Sequence, residues 1–371
     1  MISSFNVLAV AFYLFSEDNF SILPELMRPF MFRIFSLFII TLNINAVIAQ
    51  SILDEATTVS PKAEIISESQ AASASKDVNV FSWNISGDAF IKDPGLFKSL
   101  IEKSKADILL LDEVTDEINE ALLLKALPAF NLKGESSWHV SFGVSGGKQR
   151  TVIASRHPIE TLSEFRRIVA YPDVDKARLQ ALIIKGGELK YAQSLDKGIS
   201  VNGAIIVNED KRLLVVSLDL ECCGNNPSSW EEDKRRVEAR EIREQIKRVT
   251  KRVHVDGIIV TGDLNLVSTV MPLVIISGPY AKPYSGLIAA DLTHIDGRQT
   301  WTWDGRGTKF PSRVLDLVIY SPTSLKLNNG YIFNPKLLSF EAQKSLSLSR
   351  KNLENIFDHL PLITKFSWNV K

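Results

Sequence analysis

Asn84, Glu113, Asp263, Asn265, Asp316, Asp358 and His359 each stand at one end of a run of apolar or β-branched residues. Acids, amides and an imidazole are the side chains that hold cations, hydrogen-bond anions and carry protons. In an α/β sheet a site forms where strands end and their loops converge. Taken singly, such residues say little. A lone Asp or Asn at a strand end is more often a turn former or a helix cap, and a lone His beside an Asp is more often a surface pair. The information lies in the ensemble and in the elements that deliver it.

Residues 78–84 alternate and are rich in β-branched and aromatic side chains, which predicts a strand ending at Asn84. A helix at 96–105 is followed by an apolar strand at 107–111 that leads into Glu113. Residues 116–127 read as the next helix, closed by Pro128. Residues 138–144 and 151–155 read as a hairpin around Gly146-Gly147, and 179–185 with 199–207 as a continuing antiparallel run. A buried strand at 213–220 precedes a long amphipathic helix at 228–249, whose inner face carries Val237, Ile242, Ile246 and Val249. A strand at 257–261 leads to Asp263, and a short helix is expected near 268–276. Strands at 300–303, 314–320 and 362–366 close the system, and no repeat of 20–50 residues is present. This mixture predicts two sheets packed face to face with helices outside.

The stretches Ser82-Trp-Asn84, Leu110-Leu-Asp-Glu113, Ser155-Arg-His-Pro-Ile159, Gly262-Asp-Leu-Asn265, Arg313-Val-Leu-Asp316 and Asp358-His-Leu-Pro361 occur in this order. Together they resemble the endonuclease/exonuclease/phosphatase superfamily of DNase I-like metal-dependent phosphoesterases, from about Val78 to Phe366. The resemblance implies a four-layer α/β sandwich of two mixed sheets flanked by helices. It also implies a water-activating phosphoester hydrolase without a covalent enzyme intermediate. Glu113, Asp358 and Asn84 would hold Mg²⁺, with Mn²⁺ as the alternative. Asp263 would position or deprotonate the attacking water, Asn265 would hydrogen-bond a phosphate oxygen, and His359, oriented by Asp316, would meet the phosphate or transfer a proton. The substrate would be a nucleic acid, a phospholipid or a small phosphoester, handled by a monomer with no obligate protein partner.

One position departs from that pattern. The step Ser217-Leu-Asp-Leu220 places Asp219 where the superfamily usually has His. A carboxylate there would repel phosphate unless it is protonated or binds a cation. Asp219 is therefore an acid with a raised pKa, an extra metal ligand, or the mark of a degraded site in a binding protein that keeps the fold. The other positions are all present, which favours a working enzyme with Asp219 in its catalytic set. A smaller departure is Phe357, which replaces the small residue before Asp358.

Bulk composition narrows the class. Lys+Arg and Asp+Glu are both 43 in 371 residues, so no net basic charge advertises nucleic-acid binding. The two cysteines, Cys222 and Cys223, are adjacent; they make no disulfide framework, and packing is their simplest role. Trp301, Trp303 and Phe310 read equally as substrate clamp or as core and rim, and the cations Arg298, Arg306, Lys309 and Arg313 read as a solvated loop. Arg28 and Arg33, the apolar stretch 34–42, and small residues at Val47 and Ala49 have the layout of an export signal. Its apolar stretch is too short for a comfortable membrane span. Residues 1–49 are thus expected to be an N-terminal extension and signal, with the true start at Met27 or Met31. A linker at 50–76 and one domain at 77–371 follow, and export to the periplasm or beyond is expected. N-terminal sequencing of the exported protein should give a mature chain beginning at Gln50; a start upstream of it would overturn this reading.

Overall fold

The computed structural model describes residues 77–369, apart from 88–92, 129–137, 225, 279–285, 350–352 and 354–355. The expected signal and linker lie outside the described residues.

β1 (Asp77–Gly87) sits centrally in the first sheet, parallel to β2 (Ile108–Thr115) and antiparallel to β12 (Leu362–Trp368). β4 (Gln149–Ser155), β3 (His139–Phe142) and β11 (Leu325–Ile332) complete the order β11-β12-β1-β2-β4-β3. The second sheet runs β5-β6-β7-β8-β10-β9, built from β5 (Ile159–Thr161), β6 (Ser200–Asn208), β7 (Lys211–Asp219), β8 (Gly257–Asp263), β10 (Asp316–Tyr320) and β9 (Ile288–Ala289). Two mixed six-stranded sheets flanked by helices are the expected architecture.

Strand alternation divides each strand between two jobs. On β1, Phe81 and Trp83 face outward, where Trp83 stacks on Phe97 of α1 (Pro94–Ser104) with ring centroids 6.3 Å apart. Val80, Ser82 and Asn84 face the second sheet, and Ser82 Oγ lies 2.8 Å from Thr261 Oγ1 across the interface. The inward faces of β7 and β8 read Val215-x-Ser217-x-Asp219 and Ile259-x-Thr261-x-Asp263, with Asp316 and Val318 alongside on β10. The inward columns of β1, β7 and β8 thus pass from aliphatic to hydroxyl to acid or amide, and that of β10 passes directly from Val318 to Asp316. The outward parity, Leu214, Val216, Leu218 and Val260, packs with α5 (Trp230–Arg252) and α3 (Asp173–Lys185) in a separate apolar cluster. Burying each such aliphatic side chain is worth about 1.5–3 kcal/mol. Two such layers can therefore offset the cost of placing several carboxylates at the rim.

Most expected elements are present, and three differ. Residues 179–185 form no strand; they are the last half of α3, with Leu179 and Ile183 buried one turn apart. Leu182 and Ile184, on the other side, are exposed, so the last half of the helix is apolar on both sides and imitates a strand in sequence. Residues 300–303 form no regular strand, only isolated bridges from Trp303 to Arg313 and His359. The expected helix at 116–127 is limited to α2 (Glu120–Ala126), which Asn119 caps by accepting from Leu122 N–H. β11 was not foreseen, because polar residues at 328–329 and a bulge between Leu327 and Asn329 break its pattern.

Gly262 sets how Asp263 enters the site. Its φ is +133°, and a Cβ there would lie 1.9 Å from Leu218 O on the paired strand. Gly262→Ala should lower stability by at least about 2 kcal/mol through strain and overpacking. A urea midpoint within error of wild type would show that the strand end relaxes.

Candidate active site

Register builds the site's floor. β7 pairs in parallel with β8, and β8 antiparallel with β10, so that Asp219, Asp263 and Asp316 are consecutive neighbours in one row. On the facing sheet Asn84 pairs with Asp112. His359 reaches the row from the turn before β12. Phe357 stacks on Trp83 with centroids 5.4 Å apart, Trp83 Nε1 donates to His359 O at 2.9 Å, and Leu360 N–H donates to Thr302 O at 2.8 Å.

His359 Nδ1 lies 2.8 Å from Asp316 Oδ2 and 3.8 Å from Asp263 Oδ2. The same Asp316 oxygen accepts from Thr302 Oγ1 at 2.6 Å, while the N–H groups of Leu315 and Asp316 donate to that hydroxyl at 3.0 Å. Burial disfavours the imidazolium, but Asp316 first, then Asp263 and Asp358, outweigh it and hold the His359 pKa well above the ordinary value. Asp263 is pushed up to about 7 by burial, with Asp316 and Glu113 adding and His359 opposing.

Asn84 Nδ2 donates to Glu113 Oε1 at 3.0 Å and to Asp263 Oδ2 at 3.3 Å. Glu113 Oε2 accepts from Gln149 Nε2 at 2.9 Å. Asn265 N–H donates to Asp263 Oδ1 at 2.8 Å, and its Nδ2 donates to Leu220 O at 2.9 Å. Glu113 and Asn265 both have left-handed backbone, with φ of +56° and +48°. Non-glycine residues rarely adopt that region, and such strain persists where surrounding contacts over-determine it. Asn84, Glu113, Asp263, Asn265, Asp316 and His359 are thus linked directly, and Asp219 joins them by register. Asp358 stands apart: it is exposed, Trp303 Nε1 donates to its Oδ1 at 3.1 Å, and it shares no hydrogen bond with Glu113 or Asn84.

Asp112 is the principal residue that sequence reasoning passed over. It is 0 % exposed, and neither carboxylate oxygen has a hydrogen-bond partner. Burial, then Asp316, Asp219 and Asp263, hold its pKa well above the carboxylate range. Asp219 is raised likewise, by burial and then by Asp263 and Glu113. The available signal for Asp112 was an acid inside an otherwise apolar strand, at the parity of Leu110. Thr302 and Gln149 carried no such signal, because their roles exist only through contact.

The donor set suits a hard divalent cation. It is dominated by carboxylate and amide oxygens, and Asp316 Oδ1 and both Asp112 oxygens are buried without partners. Ligand atoms of Asp263, Asp316 and His359 lie within 4.8 Å of one another. Cys222 and Cys223 are exposed rather than packed, with Sγ atoms 3.0 Å apart. Of the aromatic residues, Trp303 anchors Asp358, whereas Trp301 meets His294 edge-on at 4.4 Å.

Residues 81–339 match the Endonuclease/Exonuclease/phosphatase family. No curated protein matches the chain by sequence. Among solved structures, humanized TDP2 of D. rerio is similar at 14% identity and TM-score 0.50, covering 79% of this chain and 100% of that one. Truncated TDP2 of Caenorhabditis elegans is similar at 15% identity and TM-score 0.50, covering 78% and 98%. The human Nocturnin catalytic domain gives 15% identity and TM-score 0.48 over 79% and 95%. At these identities the TDP2 likeness shows the fold alone.

The Thr302–Asp316–His359 relay makes a prediction about charge. Asp316→Asn removes the largest influence that raises His359, so its midpoint in metal-free protein should fall. The ion pair should stabilise the fold fully below the unfolded His pKa, about 6.5. That contribution should be lost as pH rises through the raised folded value. Imidazole NMR titration checks the first statement, and urea midpoints against pH the second. An unshifted His359 midpoint would remove Asp316 from this role.

Proposed function

The chain belongs to the Endonuclease/Exonuclease/phosphatase family, a family of phosphoesterases, and from that premise we propose that it hydrolyses a phosphoester by in-line attack of water, with a divalent cation and outside the cytoplasm. The observation that carries this reading is the buried contact of His359 with Asp316 at 2.8 Å beside Asp263 at 3.8 Å.

Glu113, with Asn84 beside it, would hold Mg²⁺ or Mn²⁺, with Asp358 as the third expected ligand only if it leaves Trp303; the ion would supply Lewis-acid stabilisation of the phosphoryl and leaving oxygens. Asn84 would turn its amide to offer oxygen, because its Nδ2 here faces Glu113 and its Oδ1 accepts from Ser86 N–H. Asp263 has a pKa of about 7, which suits a group that takes a proton from water near neutral pH. Its Oδ1 is fixed by Asn265 N–H, which restricts the carboxylate plane. The second Nδ2 hydrogen of Asn265 remains for a phosphate oxygen once Leu220 O takes the first. His359, charged at neutral pH, would meet the phosphate as a cation and proton donor. Fixed donors of this kind need no reorganisation during reaction.

The overall charge balance supplies no net basic excess, which weighs mildly against an enzyme that binds long DNA strongly and leaves nucleic acid, phospholipid and small phosphoester as the substrate classes. Export rests on the layout at residues 27–49. A binding protein that keeps the fold is the competing reading, and Asp219 is the observation behind it.

Turnover separates the two. The purified protein should hydrolyse bis-p-nitrophenyl phosphate or p-nitrophenyl phosphate with Mg²⁺ or Mn²⁺, and EDTA should abolish it. Glu113→Ala should remove metal-dependent activity, and Asp263→Asn or His359→Ala should lower kcat by roughly 10²–10⁴-fold. Absence of turnover with either metal and both esters would favour the binding protein, and full activity in Asp263→Asn would remove that residue from the mechanism.

A further inference from the structure

Asp112, Glu113, Asp219, Asp263, Asp316 and Asp358 concentrate carboxylates around one imidazole, His359. Among the described residues no lysine or arginine hydrogen-bonds or ion-pairs with any of these acids. On α5, Lys234 pairs with Glu221 and Glu238, and Arg235 with Glu232. A single divalent cation and an imidazolium would leave the cleft negative if these acids ionise, and it must still admit a phosphate.

Asp112 sharpens the problem. It is fully buried, its two oxygens have no hydrogen-bond partner, and it faces the row formed by Asp219, Asp263 and Asp316. Its placement follows from the packing. Ser217 Oγ donates to Leu111 O at 3.5 Å, which brings β7 against β2 at this level. One residue further along β2 is Asp112, and the next inward position after Ser217 on β7 is Asp219. An unpaired buried carboxylate costs several kcal/mol if ionised, so it takes a proton or a cation.

We propose that Asp112 and Asp219 are protein ligands of a second divalent cation, distinct from the one at Glu113, which faces the phosphoryl group from the side of β7. This inference rests on the phosphoesterase reading above. Two carboxylates are a sufficient protein contribution for Mg²⁺ or Mn²⁺, which retain water and take substrate phosphate as their other ligands. The substitution of an acid at 219 then becomes intelligible: Asp219 does not face phosphate as a bare charge but through a cation. Asp112, at the floor, supplies the oxygen that no protein donor satisfies.

The test is Mn²⁺ stoichiometry on the metal-stripped full chain, read by equilibrium dialysis and by loss of the free-Mn²⁺ electron paramagnetic resonance signal. Wild type should bind two Mn²⁺ per chain. Asp112→Asn, Asp219→Asn and Glu113→Ala should each bind one, and the Asp112→Asn/Glu113→Ala pair none. One Mn²⁺ in wild type, lost in Glu113→Ala, would overturn the second site and leave the phosphoesterase reading intact. None in wild type would overturn both. Two in wild type and still two in Asp112→Asn and Asp219→Asn would place the second ion elsewhere and overturn the assignment. A folding control comes from urea midpoints: without metal, Asp112→Asn should lie close to wild type, because the isosteric change breaks no hydrogen bond. A lower metal-free midpoint would give Asp112 a structural role and overturn its place as a ligand.

Discussion

Like-charged carboxylates repel, and a dry environment magnifies the repulsion. Here the strand registers leave little room for escape. Asp219, Asp263 and Asp316 are neighbours across β7, β8 and β10, and Asp112 meets them from the opposite sheet. Moving any of them away would require shifting its strand, which would also dislodge the aliphatic side chains below it. The inter-sheet core therefore holds the acids at close range. Val80, Val215, Ile259 and Val318 supply cohesion, Ser82, Ser217 and Thr261 mark the change of polarity, and the acids occupy the last inward positions. A bound cation would turn this repulsion into binding energy, which links the packing of the sheets to the chemistry at their rim.

The single imidazole is placed with corresponding care. Trp83 fixes the His359 carbonyl, Phe357 fixes the turn by stacking on Trp83, and Thr302 fixes the carboxylate that holds Nδ1. Phe357 departs from the small residue expected at that position, yet the ring fills the outer face of β1 where a smaller side chain would leave space. The left-handed backbone at Glu113 and Asn265 belongs to the same strategy. Strained residues of this kind cost about 1–3 kcal/mol each. Each is held here by hydrogen bonds that converge on Asp263, through Asn84 and through the Asn265 N–H.

How much of this can be read from sequence depends on whether a residue's role is local. β1, β2, β7, β8 and β10 announce themselves because a strand buried on both faces is apolar along its length, and the polar residues that end it are conspicuous. Asn84, Glu113, Asp263 and Asp316 stand out for that reason. The same rule misleads at α3, where Leu182 and Ile184 are exposed and complete an apolar run that imitates a strand. Asp112 and Glu113 are adjacent acids in sequence, and only packing shows that the two point to different surroundings, one half-exposed and one sealed. Asp358 fits the motif by position, but Trp303 holds it at the rim. A hydrogen bond across 55 residues leaves no trace in local pattern.

The loops after β7 and β8 must hold Asp219 and Asn265 still, and the cost of doing so is visible in α5. Glu232 and Arg235 are both completely buried. Arg235 donates to the carbonyls of Glu221, Cys223 and Gly224, while Glu232 accepts from Ser268 and Thr269, each tying a different loop to one helix face. A buried ion pair commonly contributes little net stability, because desolvation offsets the attraction. Its value here is geometric: the pair satisfies carbonyl and hydroxyl groups that apolar substitutes of equal volume would leave unpaired. Tyr171 extends the scaffold by donating to Glu238, which in turn accepts from Glu221 N–H at 2.8 Å, next to the loop that begins at Leu220. The helix surface facing the sheet is consequently charged where it meets the two loops and aliphatic elsewhere, at Val237, Ile242, Ile246 and Val249. Position along α5 thus separates the part of the helix that stabilises the fold from the part that orders the site.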